Sequence, residues 1–186
     1  MQLAWHFLAA NEAGNPVLRD GRPLVVGQWY DHTGPLRMCR SGYHASVHAI
    51  DALDYAPGPW VSLVEVDGTI EYGEDKLVAT RRRALWCYDA TEVLRLFARQ
   101  CALDVADLWE MPDVVRQYLE TGDEAIRVAA KDAAWYASDA VRGAASAVAW
   151  DAARYAAWNA ASTTAWYAAR DSQNATLESM LLADQS

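Results

Sequence analysis

Three side chains in the stretch CRSGYHASVH have types that bind transition metals. Cys39, His44 and His48 form the pattern C-x4-H-x3-H, and a thiolate with two imidazoles is a ligand set that zinc accepts. His44 falls at the end of a predicted strand and His48 at the start of a predicted helix, and a fourth ligand would have to be the distant Cys87 or Asp51. We therefore predict ordinary hydrogen-bonded histidines and no metal site.

Carboxylates form two small groups that could do acid–base work. Asp51 and Asp54 are three residues apart on one short predicted helix, and Glu71, Glu74 and Asp75 cluster in a turn. Such pairs act as acid and base only in a cleft that raises the pKa of one member. Both groups are predicted to be solvated. The chain also has no HExxH, GxSxG, Walker or GxGxxG motif, so no catalytic residue and no cofactor is predicted from motifs, although enzymatic activity is left open.

A run of three arginines, Arg81, Arg82 and Arg83, falls on a predicted strand. Successive strand residues face opposite sides of a sheet, so at least one of them points inward or across the sheet. A buried ion pair or a partner contact is one interpretation. A charged edge that discourages pairing with another strand is the interpretation we favour.

The charge composition indicates which kinds of partner the chain could bind. Its 186 residues carry a net charge of −9, with 8 basic and 11 acidic side chains in residues 1–90 and 8 and 14 in residues 91–186. This balance argues against direct nucleic-acid binding, which requires a basic footprint. It suits a protein partner with a basic surface, and it suits solubility alone equally well.

The location predicted for the chain is the cytoplasm. The opening MQLAWHFLAANE lacks a basic segment and reads as a strand, not as a signal peptide. No apolar run reaches the roughly 18 residues of a membrane span, so no membrane contact is predicted. Cys39, Cys87 and Cys101 have no CxxC spacing and lie in apolar stretches, which predicts buried free thiols in a reducing compartment.

The predicted fold class is α+β, with a β-rich domain over residues 1–89 and a helical, alanine- and tryptophan-rich domain over residues 90–186. In the first domain, residues 48–56 have helical apolar spacing, and the strands are expected at 3–9, 23–32, 36–46, 60–68 and 75–89. In the second, the helices are expected near 91–110, 112–121, 123–142 and 145–171, and the tail 174–184 could dock one or two more turns.

The last predicted helix has alanine pairs every four residues and tryptophans every eight. Four residues turn a helix by about 400°, so this seam rotates about 40° per repeat and cannot follow one partner helix. Either the helix meets several neighbours or it breaks near 162–164. The aromatic side chains then either pack inside a helical layer or anchor an interface. The candidate partner-binding residues are Trp150, Asp151, Tyr155, Trp158, Trp166 and Tyr167.

The segment SGYHAS (41–46), followed by ALDYA (52–56) and the strand WVSLVEVDG (60–68), resembles the middle of ADP-ribosyltransferase-type folds. The resemblance implies a nicotinamide pocket lined by a strand with Tyr43 and His44, a stacking role for Tyr55, and a ribose-holding role for His6. It therefore implies an enzyme that uses NAD.

The stretch CRSGYHASVHAIDALDYAPG with the strand after it also looks like a small domain of unknown function common in bacteriophage and prophage proteins. The second half, with LETGDEAIRVAAKDAAW and AARYAAW, resembles alanine-rich helical immunity proteins. Together these resemblances imply a non-enzymatic inhibitor that binds a host or mobile-element protein complex, for example an anti-CRISPR. This is the function we expect first. The NAD-using enzyme and a structural protein that forms homo-oligomers are the alternatives.

Overall fold

The structure is a computed structural model that describes residues 1–104, 106, 110–134 and 163–184, with the backbone alone over residues 163–169. The chain divides into two compact units. One combines Met1–Leu94 with Asn174–Ser186, and the other comprises Arg95–Gln173. The first contains an antiparallel sheet with a short helix, and helices follow it along the chain. The predicted α+β class is therefore confirmed.

Six strands form the sheet of the first unit. The strand order is β2-β1-β5-β6-β3, and β4 also pairs with β6; all the pairings are antiparallel. Valine, tryptophan and tyrosine recur along the two longest strands, as expected for β-structure. The strands are β1 (Gln2–Ala10), β2 (Pro16–Val17), β3 (Tyr30–Asp31), β4 (Tyr43–Ala45), β5 (Trp60–Tyr72) and β6 (Leu77–Asp89).

The sheet curls back on itself. Strand β4 pairs with β6 from Tyr43↔Ala79 to Ala45↔Leu77. The next residue, Ser46, exchanges two backbone hydrogen bonds with Trp5 of β1, at 2.7 and 3.0 Å. The chain after β4 therefore connects the two sides of the β1-β5-β6 sheet. Apolar side chains fill the inside of this curl, among them Ala4, Leu8, Val64, Val66, Leu77 and Ala84.

Helix α1 (Ala49–Leu53) is capped by a distant part of the chain. Its own N-cap residue, His48, makes no side-chain capping bond. Instead, the Ala49 N–H donates to Glu178 Oε1 at 3.1 Å and the Ile50 N–H donates to Asn174 Oδ1 at 3.0 Å. These bonds satisfy two of the amides that every helix start leaves without an internal partner. Both acceptors lie on the last helix of the chain, α4 (Thr163–Ala183).

The C-terminal part of α4 is an integral element of the first unit. Leu177 and Leu181 are fully buried, and the Tyr88 hydroxyl donates to the Leu181 carbonyl at 2.8 Å. The expectation that the tail 174–184 docks is therefore confirmed.

The second unit is helical in its described residues. Helix α2 (Thr91–Leu103) runs into it, and α3 (Asp113–Thr121) follows Pro112 and ends at Gly122, whose φ of 69° is the left-handed conformation common after helices. A 3-10 turn, Glu124–Ile126, leads into helical residues 127–134.

Three expectations from the sequence are wrong. The strands expected over 23–32 and 36–46 shrink to β3 and β4, because Gly27, Cys39 and Gly42 have φ values of 82°, 63° and 107°, which a strand does not accommodate. The arginine run does not mark a sheet edge, because β6 is paired with β5 on one side and with β3 and β4 on the other. The thiols are not all buried either: Cys39 is exposed, and Cys87 and Cys101 are half-buried.

Candidate ligand-binding cavity

The first unit contains a cavity of about 790 Å³. Strands β1, β4 and β6 contribute to its wall, together with the segment after α1 and the loop after β2. All four residues of the alternative site predicted from the sequence line it: His6, Tyr43, His44 and Tyr55. They come from three separate segments of the chain, so only the folded sheet brings them together.

The wall of the cavity carries a large excess of positive charge. In the described part of the chain, a single carboxylate lines it, that of Asp20, and this group is paired with Arg22 at 2.7 Å. The chain as a whole has a net charge of −9, so this local excess runs against the composition. The basic side chains that line the cavity are those of Arg19, Arg22, Arg40, Lys76 and Arg82.

Arg82 is the least exposed of these cations, with 7% of its surface accessible. Its Nη1 donates to the backbone carbonyl of His44, and its guanidinium carbon lies 5.3 Å from the centre of the Tyr43 ring. Among the described residues, no carboxylate forms an ion pair with it. Burial lowers the pKa of Arg82 to about 10, so the side chain is still charged at neutral pH.

A buried cation with no carboxylate beside it is energetically unfavourable, because it loses hydration and gains no ion pair in return. The neighbouring Arg81 and Arg83 differ from Arg82 in both respects. Their side chains lie on the opposite face of the strand, where they pair with Asp31 and Glu65. The sequence therefore places one unpaired arginine inside the cavity and two paired ones outside it.

The two histidines of the cavity are held in the neutral form. Burial is the main cause that holds the pKa of His6 well below 6.5, and the charge of Arg82 adds to it. Burial also lowers the pKa of His44, with Arg82, Arg19 and Lys76 acting in the same direction. The same three cations, Arg82, Arg19 and Lys76, line the cavity with His44.

His44 has a positioning role in the wall. Its Nε2 accepts a hydrogen bond from the Cys39 N–H at 2.8 Å, and a hydrogen bond to the Gly42 backbone partly opposes the lowering of its pKa. With its ring nitrogens engaged in this way, His44 fixes the turn before β4 and is not placed as a free base.

A second cation–aromatic pair lies at the open side of the cavity. Tyr55 is 51% exposed, and the Lys76 ammonium nitrogen lies 3.8 Å from the centre of its ring. The Tyr55 hydroxyl donates to Asp75 Oδ2 at 2.5 Å, and Lys76 Nζ lies 3.7 Å from Asp75 Oδ1. The hydrogen bond to Asp75 therefore orients the Tyr55 ring.

A tight turn with the sequence LRDGR (18–22) brings two of the arginines to the wall. Leu18 anchors it in the core at 6% exposure, and its N–H donates to the Arg22 carbonyl at 2.8 Å. Gly21, with a φ of 82°, closes the turn by donating to the Leu18 carbonyl at 2.9 Å. Arg19 and Arg22 project from this turn and line the cavity.

Gly42 allows β4 to lie close against β6. Its φ is 107°, and a Cβ at this position would lie 2.5 Å from Val78 Cγ2, which is too close for any real contact. Because Tyr43 and His44 follow directly, the glycine determines where both side chains enter the wall.

The other sites predicted from the sequence have different outcomes. The partner-binding residues Trp150, Asp151, Tyr155 and Trp158 lie outside the described residues, and for Trp166 and Tyr167 only the backbone of α4 is described. Their role stays a prediction.

The residues of the C-x4-H-x3-H pattern make other contacts. His44 bonds to the Cys39 backbone, and His48 Nδ1 lies 3.3 Å from Asn174 Nδ2. Within the described residues, no group of three or more cysteine, histidine or acidic side chains is arranged to hold a metal ion.

The sequence reasoning did not predict the cationic lining. Arg82 carried a usable signal, since the middle of three arginines on a strand must face away from the other two. Arg19, Arg40 and Lys76 lie on turns, where no periodicity indicates the direction of a side chain.

The first unit is a small α+β unit with a cavity whose wall carries cations and aromatic rings. Residues 18–96 match the family model described as a domain of unknown function (DUF7666). This supports the expected small domain of unknown function, while the phage origin and the likeness to immunity proteins stay predictions. No curated protein and no solved structure matches the chain. In the described part of the chain, no helix has the length and apolar character needed to cross a membrane.

Proposed function

We propose that the first unit binds a small anionic ligand in this cavity, with Arg82 as the principal anchor. The observation that carries the proposal is the unpaired, buried guanidinium of Arg82 on the wall of a cavity in an acidic protein. An anion at this position would supply the charge partner that no described residue provides. It would also be attracted by Arg19 and Lys76, which lie near the same region.

The arrangement of residues in the cavity fits ligand binding better than it fits catalysis. A reaction would need a general base or a nucleophile aimed at the ligand. Among the described lining residues, the only carboxylate is tied to Arg22 and the imidazole of His44 is engaged on both sides. His6 is the remaining imidazole, and burial together with the charge of Arg82 lowers its pKa, which makes it a weak base.

The test is thermal unfolding of the full chain with phosphate, sulfate and citrate, each compared with chloride at equal ionic strength. A ligand that binds only the native state stabilises it by RT ln(1 + [L]/Kd), about 2.7 kcal/mol at a hundredfold excess over Kd. We expect stabilisation of the parent by at least one of these anions and no stabilisation of Arg82→Met.

Arg83→Met is the matched control, because Arg83 is the next residue of β6 and pairs with Glu65 at 2.5 Å, away from the cavity. This variant should keep the anion-dependent stabilisation even if its own melting temperature changes. Equal loss in both variants, or no stabilisation of the parent by any anion, would disprove the proposal.

An NAD-using enzyme of the ADP-ribosyltransferase type is a second candidate. It is favoured by one observation, the presence of His6, Tyr43, His44 and Tyr55 around one cavity. Incubation with NAD, followed by measurement of released nicotinamide and of the intact mass of acceptor proteins, tests it. Nicotinamide release that Tyr43→Leu abolishes would support the enzyme; NAD that binds and is recovered intact would support binding alone.

The protein-binding inhibitor expected from the sequence stays a separate proposal for the helical half. It is supported by the acidic surplus of residues 91–186 and by the spacing of Trp150, Trp158 and Trp166. A pull-down from a bacterial lysate that contains active defence complexes tests it. A stoichiometric partner that is lost with Trp158→Ala would support the inhibitor, and recovery of the chain alone would favour self-association.

A further inference from the structure

We propose that the ligand of the cavity is a small aromatic phosphate, in which a planar ring carries a dianionic phosphate group. This inference rests on the proposed anion binding and specifies its ligand class. It uses three features of the wall: its size, its two cation–aromatic pairs and its number of unpaired cations.

The cavity has room for a ligand larger than a simple inorganic anion. About 790 Å³ lies in the range of roughly 300–1,000 Å³ that is typical of sites for organic ligands, whereas one water occupies only about 30 Å³ in the liquid. Apolar side chains such as those of Phe7, Leu8 and Leu18 also contribute to the lining. A bare phosphate would leave this apolar part of the wall without contacts.

Aromatic rings occur in the wall beside its cations. Arg82 lies over Tyr43 and Lys76 lies over Tyr55, at 5.3 and 3.8 Å from the ring centres. Arg82 is buried and Tyr43 is half-buried, whereas Tyr55 is exposed and Lys76 is half-buried, so the wall presents a ring with a cation at a more buried and at a more exposed position. A planar ring with an anionic group matches this alternation, because it can stack on a tyrosine while its charge reaches a cation.

The number of free cations favours a dianion over a monoanion. In the described part of the chain, Arg19, Arg40 and Arg82 line the cavity without a carboxylate partner. Arg19, Lys76 and Arg82 are all close enough to His44 to lower its pKa. A phosphate offers three acceptor oxygens and close to two negative charges, and a planar guanidinium can bind two of those oxygens at once. A carboxylate neutralises only one cation.

The experiment is isothermal titration of the full chain with five probes: phenyl phosphate, adenosine monophosphate, adenosine, benzoate and inorganic phosphate. We expect phenyl phosphate and adenosine monophosphate to bind at least about tenfold more tightly than the other three, since ring stacking and the second charge each contribute on the order of tenfold. Tighter binding by adenosine monophosphate would identify a nucleotide as the source of the aromatic phosphate, and tighter binding by phenyl phosphate would identify a simple aryl phosphate.

Tyrosine variants separate the ring from the charge. Tyr43→Leu should weaken the binding of phenyl phosphate about tenfold and leave the affinity for inorganic phosphate unchanged. Tyr72→Leu is the control, because Tyr72 is 62% exposed and does not line the cavity. The aromatic-phosphate proposal would be overturned if inorganic phosphate or benzoate bound as tightly as phenyl phosphate. It would also be overturned if the two tyrosine variants changed the affinity for phenyl phosphate equally. In either case the proposal of anion binding would stand. Failure of every anion to bind would overturn both.

Discussion

Arg82 ties strand β6 to His44 of strand β4 with a charged hydrogen bond from its Nη1 to the His44 carbonyl. The same guanidinium lies on the wall of the cavity and over Tyr43. One side chain therefore contributes both to the closure of the curled sheet and to the site that the sheet encloses. These two roles can be separated by removing the charge of Arg82. If the role is mainly structural, the protein loses stability; if the role is mainly to bind an anion, the protein loses binding.

Replacement of Arg82 by methionine should cost little stability in the absence of ligand. The variant loses the hydrogen bond to the His44 carbonyl, but it also removes a buried cation that has no carboxylate partner among the described residues. The two effects oppose each other, so we expect the free energy of unfolding to change by less than about 1 kcal/mol in either direction. Urea unfolding without added anions measures it. A loss above about 3 kcal/mol would show that Arg82 is mainly structural.

Two adjacent leucines of α4 should differ sharply in their effect on stability. Leu181 is fully buried against the first unit, whereas Leu182 is 51% exposed. Leu181→Ala should lower the free energy of unfolding by about 2–5 kcal/mol, since it leaves a cavity in a packed core. Leu182→Ala is the control and should change it by less than about 0.5 kcal/mol. Hydrogen exchange of β5 and β6 reports on the same unit, and equal protection in both variants would contradict the docking of α4.

Removal of the Asn174 side chain should loosen α1. Asn174 is 9% exposed, and its Oδ1 accepts the Ile50 N–H, so Asn174→Ala leaves a buried amide without a partner. Loss of a helix cap costs about 0.5–2 kcal/mol. We expect that decrease in the free energy of unfolding, together with faster amide exchange at Ala49 and Ile50. Ser179→Ala, at an exposed position on the same helix, should leave both unchanged.

Acid should destabilise the first unit through its cavity histidines. The fold lowers the pKa values of His6 and His44, so the unfolded chain takes up protons first as the pH falls below about 6.5. Their contribution to stability is therefore complete above that pH and is lost below it, with a slope of up to about 1.4 kcal/mol per pH unit for each histidine. His6→Gln should flatten the dependence measured by urea unfolding between pH 7 and pH 5. An unchanged slope would mean that His6 does not ionise in the way its surroundings imply.

The sequence was most informative where periodicity is strong. The alternation in residues 60–68 and the strand expected over 75–89 correspond to the strands observed as Trp60–Tyr72 and Leu77–Asp89, and β1 lies within one residue of its expected span at each end. These strands are long and rich in the β-branched and aromatic residues that favour strands. The α+β class follows from them.

The cavity was much harder to predict, because its chemistry comes from turns and from pairing. Tyr43, His44, Tyr55 and His6 were singled out through a resemblance, and the cations beside them were missed. The register of β6 decides which residue of the arginine run faces the cavity, and that register is set by the pairing of β6 with its neighbouring strands. Turn geometry decides where Arg19 and Arg40 point, and no spacing in the chain encodes it.

The docking of α4 makes the first unit discontinuous, since residues 95–173 lie between its two parts. In thermodynamic terms, folding of the first unit must bring together two chain segments that this insertion separates in sequence. The entropy of closure grows only with the logarithm of loop length, so each doubling costs about 0.6 kcal/mol. A change in the length of the insertion therefore adds little closure entropy to the first unit, whereas a fragment limited to residues 18–96 would lack both β1 and α4.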